Sequence, residues 1–194
     1  MQRKRMRTNQ VDLTDKRSVH GLKNKAGRLM WYWVWIFLFR PTPRPFHSWR
    51  RSLLKLFGAK LAATSRVYPR AKVWAPWNLE MGESSTISDD VDCYCVAGVS
   101  IGAHTTVSQY SYLCGATHDH THARFPLIPK PIVIGSGCWI AADVFVAPGV
   151  TIGNGTVIGA RSSVFTDLPE WKICVGSPAK PIKDRELLNV DSGE

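Results

Sequence analysis

The chain lacks a hydrophobic run long enough to cross a bilayer. Its longest, Leu29–Phe39, is eleven residues fenced by Arg28 and Arg40, about 16 Å as a helix against a hydrocarbon core of roughly 30 Å. It reads without a secretory leader, because the apolar run comes late and no small-residue cleavage site follows it. It also lacks a disulfide framework. The five cysteines (Cys93, Cys95, Cys114, Cys138, Cys174) are odd in number and form no CxxC pair, so reduced thiols in a cytoplasmic protein are expected. Acid is nearly missing from residues 1–72, where eighteen Lys and Arg face only Asp12 and Asp15, a balance of +16. Residues 73–194 reverse this, with seven Lys and Arg against thirteen Asp and Glu, a balance of −6. Such a basic segment points to an anionic partner. Nucleic acid is not expected, since aromatics and cations share one apolar run rather than interleaving along a groove.

What is present is a period of six. Ile134, Ile140, Val146, Ile152, Ile158 and Val164 recur without a break, and small residues (Gly135, Ala141, Ala147, Gly153, Gly159) fill the next slot. This spacing suits neither a 3.6-residue helix nor a meander of hairpins. It predicts a hexapeptide β-helix, in which each unit makes one short strand and one turn, and three units close a triangular coil around an aliphatic ladder. The repeat is ragged before this stretch: Leu61, Val67, Val73, Leu79, a slip to Met81, Ile87, an irregular Cys93–Val99, then Ile101, Val107 and Leu113. From Asp119 to Val133 the period is lost in a proline-bearing loop, and loops leaving a regular solenoid usually serve function. The expected organisation is an N-terminal extension over residues 1–60, a β-helix over 61–175 with its loop at 119–133, and a tail over 176–194.

The extension predicts two short helices. Leu29–Phe39 carries Trp31, Tyr32, Trp33, Trp35, Phe37 and Phe39 between arginines, a composition suited to a membrane–water interface. Trp49–Phe57 spaces Trp49, Leu53, Leu56 and Phe57 along one helical face, and Gly58 ends it. Peripheral contact with an anionic membrane surface is one reading. Capping of the open end of the solenoid is the other.

His118 stands where the repeat breaks, a histidine at a coil corner beside an excursion, able near neutral pH to take a proton from a hydroxyl. The segments around it (Ala116-Thr-His118, Lys130-Pro-Ile-Val-Ile-Gly135, Cys138-Trp-Ile140, Val146-Ala-Pro-Gly-Val-Thr-Ile-Gly153, Val157-Ile-Gly-Ala160, Asp167-Leu-Pro169, Gly176-Ser-Pro-Ala-Lys180) resemble the hexapeptide-repeat acyltransferases that use acetyl-CoA, of the maltose, galactoside and nodulation O-acetyltransferase group. Val11-Asp-Leu13, the aromatic run, Leu53–Lys60 and Tyr112-Leu-Cys114 look like the colanic-acid-biosynthesis type of acetyltransferase.

The resemblance implies a mainly β fold, a left-handed parallel β-helix that departs from the right-handed crossover rule. It implies a homotrimer with acetyl-CoA lying between adjacent prisms. It implies direct acetyl transfer to a hydroxyl of a sugar or saccharide precursor in polysaccharide biosynthesis, with His118 as general base and no metal. By the same resemblance Trp139 lines the acceptor and pantetheine site, Ala141, Ala142 and Ala160 meet the pantetheine arm, Lys180 lies near the CoA phosphates, and Asp12 lies near the acceptor. Relatives commonly carry an acceptor-orienting Asn where this chain reads Asp92-Cys-Tyr-Cys95, so Asp92 or Tyr94 is expected to substitute. A lysine common near CoA is missing from Phe165-Thr-Asp167, and Arg161 is expected to compensate. Two alternatives stay open: a gamma-carbonic-anhydrase-like zinc enzyme using His118, His120 and His122, and an inactive membrane-associated scaffold. The acceptor is expected to be a small-molecule or lipid-linked saccharide.

Overall fold

Each six-residue unit spends two or three residues on a strand and turns on the rest, as the period requires. The computed structural model describes residues 11, 13, 14 and 20–188, so the candidate Asp12 lies outside the described residues. The first coil comprises β1 (Lys60–Leu61), β2 (Arg66–Val67) and β3 (Lys72–Val73), and the second β4 (Leu79–Met81), β5 (Thr86–Ile87) and β6 (Asp92–Tyr94). The third comprises β7 (Val99–Ile101), β8 (Thr106–Val107) and β9 (Tyr112–Cys114). A hairpin of β10 (Ala116–His118) and β11 (Leu127–Pro129) then leaves the solenoid. The fourth coil is β12 (Ile132–Ile134), β13 (Trp139–Ile140) and β14 (Phe145–Val146), and the fifth β15 (Thr151–Ile152), β16 (Val157–Ile158) and β17 (Ser163–Val164). Leu168 bridges Ile152 to begin a sixth, and β18 (Lys172–Gly176) pairs with β16 before folding back as β19 (Ala179–Asp184).

Successive coils stack in parallel into three faces, of order β1-β4-β7-β12-β15, β2-β5-β8-β13-β16-β18 and β3-β6-β9-β14-β17. The register puts one ladder inside each face. Leu61, Met81, Ile101, Ile134 and Ile152 stack on the first, and Val73, Cys93, Leu113, Val146 and Val164 on the third. All are buried, and each large aliphatic contributes roughly 1.5–3 kcal/mol. Two residues before many rungs sits a small buried residue. Where that residue is polar, its hydroxyl is usually spent on a carbonyl: Ser65 on Ala62, Thr105 on Gly135 at 2.6 Å, Thr156 on Pro169 at 2.6 Å. Buried hydroxyls without such partners would cost more than they contribute. At Gly102 a Cβ would lie 2.5 Å from the Gly135 carbonyl carbon, which is why only glycine fits where coils three and four touch.

The early slips resolve into insertions at one corner. The first three coils repeat every 20 residues and the last two every 18. The extra pairs lie between the third face and the first, at Ala75–Asn78 and Cys95–Gly98. The rung after Val73 is therefore Met81 rather than Leu79, although both are buried. Asn78 Nδ2 donates to the carbonyls of Cys95 and Val96, holding the two irregular connections together. The expected loop 119–133 is a hairpin that starts within β10, and the coil resumes at Ile132. Of the expected tail, residues 176–184 belong to the β18–β19 hairpin.

The N-terminal helix α1 (Leu22–Val34) begins well before Leu29, from an extended Gly21, and passes into a π-helical turn over Trp35–Phe39. Trp31 and Phe39 are buried. The Trp31 and Trp35 indoles donate to the carbonyls of Val73 (2.6 Å) and Ala71 (2.8 Å). These aromatics, read as interfacial from sequence, pin α1 to the solenoid. The second helix α2 (His47–Leu56) also presents a different face from the expected one. Trp49 and Leu56 are exposed, while Leu53, Leu54 and Arg50 are buried. The Arg50 guanidinium can be buried because all five of its N–H donors are used: Nε on Val67 O, Nη1 on Thr42 Oγ1 and Pro43 O, Nη2 on Arg44 O and His47 Nδ1. Both helices close the solenoid's first coil. Among the described residues no helix is long and apolar enough to cross a membrane.

Candidate active site

His118 ends β10, on the hairpin that leaves the corner between the third face and the first. Its Nδ1 lies 2.6 Å from the Phe125 carbonyl oxygen. A carbonyl only accepts, so Nδ1 carries the proton and the neutral ring keeps its lone pair on Nε2, the arrangement of a general base. Phe125 holds its carbonyl in this direction from a left-handed conformation, φ 44°. The turn beneath is built on Asp119, whose carboxylate accepts from the Thr121 hydroxyl (2.6 Å) and N–H (3.0 Å). Those two donors hold the Asp119 carboxyl below its ordinary pKa. The Asp119 N–H donates to Pro126 and Phe125 N–H donates to His122, closing the loop.

Ala141, Ala142, Ala160 and Arg161 lie at a different corner, between the second face and the third. Arg161 N–H donates to Ala142 O at 3.0 Å, and Gly176 N–H to Ser162 Oγ at 3.0 Å, so the turns after β13, β16 and β18 stack. Side chains no larger than methyl at Ala141, Ala142 and Ala160 leave the turn backbone open to a close-lying chain. Arg161 is exposed and pairs with Asp143 at 3.5 Å. Lys180, also exposed, faces Val175 across the β18–β19 hairpin. Trp139 stands on the outer side of the second face, half exposed, its indole donating to Ser108 Oγ at 3.1 Å. Within one chain, then, His118 and this group occupy opposite edges of the third face.

Asp92 and Tyr94 are on β6, in the third face, nearer the N-terminus. Asp92 is half-buried, and burial raises its carboxyl pKa against the opposing charge of Lys72. Tyr94 packs on Trp74 (5.3 Å between centroids), and its carbonyl accepts the Gly115 N–H at 2.9 Å, at the root of the His118 hairpin. An aromatic file continues down this face from Tyr94 through Tyr112 and Phe145 to Phe165.

A family model described as bacterial transferase hexapeptide (six repeats) matches residues 131–166. The Escherichia coli K12 protein named as a colanic acid biosynthesis acetyltransferase, WcaF, is 47% identical over 156 residues, covering 80% of this chain and 86% of its own. The chain belongs to the hexapeptide-repeat acetyltransferase family. Among solved structures, a maltose O-acetyltransferase from Clostridium difficile 630 superposes with a TM-score of 0.76 at 25% identity, covering 86% of this chain and 90% of its own. A hexapeptide-repeat acetyltransferase from Vibrio cholerae complexed with acetyl-CoA gives 0.75 at 23% identity, covering 89% and 94%. The parallel solenoid is that of the left-handed β-helix acetyltransferases, and the chain is an acyltransferase.

Within that family frame, the histidines of the hairpin do not converge. His118 Nδ1 is turned to Phe125, while His122 Nδ1 accepts the Arg124 N–H at 3.1 Å. Among the described residues no group of three His, Cys, Asp or Glu is arranged to hold a metal ion. The sequence reading missed the groove beside Asp92, lined by Lys25, Arg28 and Tyr32 of α1. The spacing of these residues, one face of a helix, was visible in the sequence, but it straddles the start of the apolar run and so falls outside the expected helix.

Proposed function

We propose that the protein is an acetyl-CoA-dependent O-acetyltransferase acting on a hydroxyl of a saccharide or saccharide precursor in polysaccharide biosynthesis. The observation that carries this is the His118 Nδ1–H bond to the Phe125 carbonyl, which leaves Nε2 to take the proton. The acceptor hydroxyl gives its proton to Nε2 as its oxygen attacks the acyl carbon. The charge growing on the acyl oxygen is met by backbone N–H donors. The imidazolium then returns the proton to the departing thiolate. Acetyl-CoA supplies the activated thioester. Ala141, Ala142 and Ala160 would border its pantetheine arm, and Arg161 and Lys180 its phosphates. Because these residues and His118 occupy different corners of one chain, a site combining them draws on two copies, which supports a homotrimer with the site between prisms. Trp139 and Tyr94 would flank the acceptor.

The protein works at the cytoplasmic face of a membrane. This part of the reading is supported by the stripe Leu22, Met30, Trp33 and Phe37, which points away from the solenoid with exposures of 83, 61, 51 and 65%. It is also supported by Phe46, Trp49 and Leu56, exposed on and beside α2, with Arg40 and Arg44 exposed in the connection between the helices.

Titration with acetyl-CoA, followed by heat and melting temperature, tests the reaction class without knowledge of the acceptor. At a hundred times its dissociation constant the ligand should stabilise the fold by about 2.7 kcal/mol, and saturate near one per subunit. Absence of saturable binding would overturn the proposal.

A further inference from the structure

A groove of about 520 Å³ runs between α1 and the outer side of β3 and β6. One wall is a single helical stripe, Lys25, Arg28, Leu29 and Tyr32, at spacings of three and four residues. The other is Lys72, Trp74 and Asp92. We propose that this groove is the acceptor subsite and that it recognises a phosphate or diphosphate ester carried by the saccharide. The inference rests on the acetyl-transfer reading above.

Three cations meet one carboxylate here, and burial already disfavours the charge on that carboxylate. Among the described residues Lys25 and Lys72 form no ion pair. Arg28 is held in place rather than free: its Nε donates to Asn24 Oδ1 at 3.0 Å and its guanidinium lies 4.2 Å above the Trp74 ring. That leaves its terminal nitrogens as a fixed fork, the geometry that suits phosphate oxygens. With Asp92 set against its cross-strand neighbour Lys72, two positive charges remain in excess; a single carboxylate on a sugar would balance one of them, a diphosphate both. The exposed Tyr32 ring gives the groove flat apolar surface for the carbon side of a sugar ring, while Trp74 is taken up in seating Arg28.

Position supports the assignment. Trp74 packs on Tyr94, whose carbonyl holds the root of the His118 hairpin, so the groove lies on the face whose far edge carries the base. On α1 the groove stripe lies directly beside the outward apolar stripe of Leu22, Met30, Trp33 and Phe37. A sugar hung from a polyisoprenyl diphosphate would bring its diphosphate to the groove at headgroup level. A nucleotide diphosphate sugar offers the same ester from solution.

The test is isothermal titration of the full chain with inorganic pyrophosphate in saturating CoA, which fills any phosphate site used by the donor. Saturable binding near one per subunit is expected. It should weaken about tenfold or more in Lys25→Ala/Lys72→Ala, as charge-assisted bonds are lost, and be unchanged in Lys60→Ala, which lies outside the groove. Farnesyl diphosphate and UDP are then compared. Tighter farnesyl diphosphate supports the subsite with a lipid carrier, and tighter UDP supports it with a nucleotide carrier. Absence of pyrophosphate binding, binding that survives the double substitution, or equal binding of glucuronate overturns the subsite. Acetyl-CoA affinity is measured in parallel. If it is intact while pyrophosphate fails, only the subsite falls; if acetyl-CoA does not bind, the transfer reading falls and the pyrophosphate result still decides what the groove accepts.

Discussion

Arg50→Met should be among the most damaging single substitutions in the N-terminal region, and its cost can be worked from the contacts. The side chain is fully buried in α2, and its five donors reach three carbonyls, one hydroxyl and one imidazole. Methionine fills most of the space but donates nothing. Pro43 O keeps the Phe46 N–H at 3.1 Å, whereas Arg44 O keeps no other donor among the described residues. One orphaned carbonyl costs about 1–3 kcal/mol, and losing charge-assisted hydrogen bonds to the remaining acceptors about 1.5–3 kcal/mol each, so roughly 3–5 kcal/mol in all. Replacing buried ion pairs with apolar groups is often harmless because both partners go; here the partners are backbone and stay. With roughly 2–4 °C of melting temperature per kcal/mol at this chain length, the midpoint should fall by about 6–20 °C. Calorimetry at fixed protein concentration measures this, with Arg51→Met as the control. Arg51 makes one carbonyl bond, to Ser65 at 2.8 Å, and should cost no more than about 1.5 kcal/mol. An Arg50→Met midpoint no lower than that of Arg51→Met would refute the reasoning.

His118→Ala should lower the rate of acetyl transfer by about 10²–10⁴ while moving the melting temperature little, since the exposed ring forfeits one hydrogen bond; the thiol released from acetyl-CoA with acceptor present is the readout, and an unimpaired variant removes His118 as base. In cosedimentation with anionic liposomes at low salt the protein should pellet, and Trp33→Ser/Phe37→Ser should leave it in the supernatant because both side chains face outward. Wild-type protein that stays in solution removes the membrane from the account.

The fold was legible wherever the coil was closed by three units of equal length. Ile134 to Val164 declares itself because no corner there carries an extra residue. From Leu61 to Leu113 two residues are added at the same corner of each coil, so a fixed period drifts out of phase although the ladder beneath it is unbroken. Arg50 shows the reverse failure. Its charge argued for solvent, and nothing local announced that Thr42, Pro43, Arg44 and Val67 would offer it oxygen. At the candidate site, the break in the repeat is what nominates His118, yet what fixes its tautomer is a backbone carbonyl seven positions on, in a loop with no period to read. Trp31 and Trp35 looked like interfacial residues because composition reports what a segment contains and not which way it faces. A helix begun at Leu22 turns those two indoles inward and leaves Met30, Trp33 and Phe37 outside.

The corners also bear on assembly. A triangular solenoid presents three edges, and the proposed site residues are split between two of them: the His118 hairpin follows the third face, and the stacked turns of Ala142 and Arg161 precede it. The aromatic file from Trp74 to Phe165 covers the face between. One prism cannot wrap around its own face to join these edges, because parallel stacking keeps every coil in register with the next. Setting the hairpin edge of one copy against the stacked-turn edge of another joins them, and repeating that contact around a threefold axis closes the ring with each copy giving one edge to each neighbour. On the trimeric reading, then, an insertion of hairpin length is tolerated in an otherwise regular coil because its tip lands on a neighbour, where a base is needed, and not on its own solenoid, where it would have nothing to act upon.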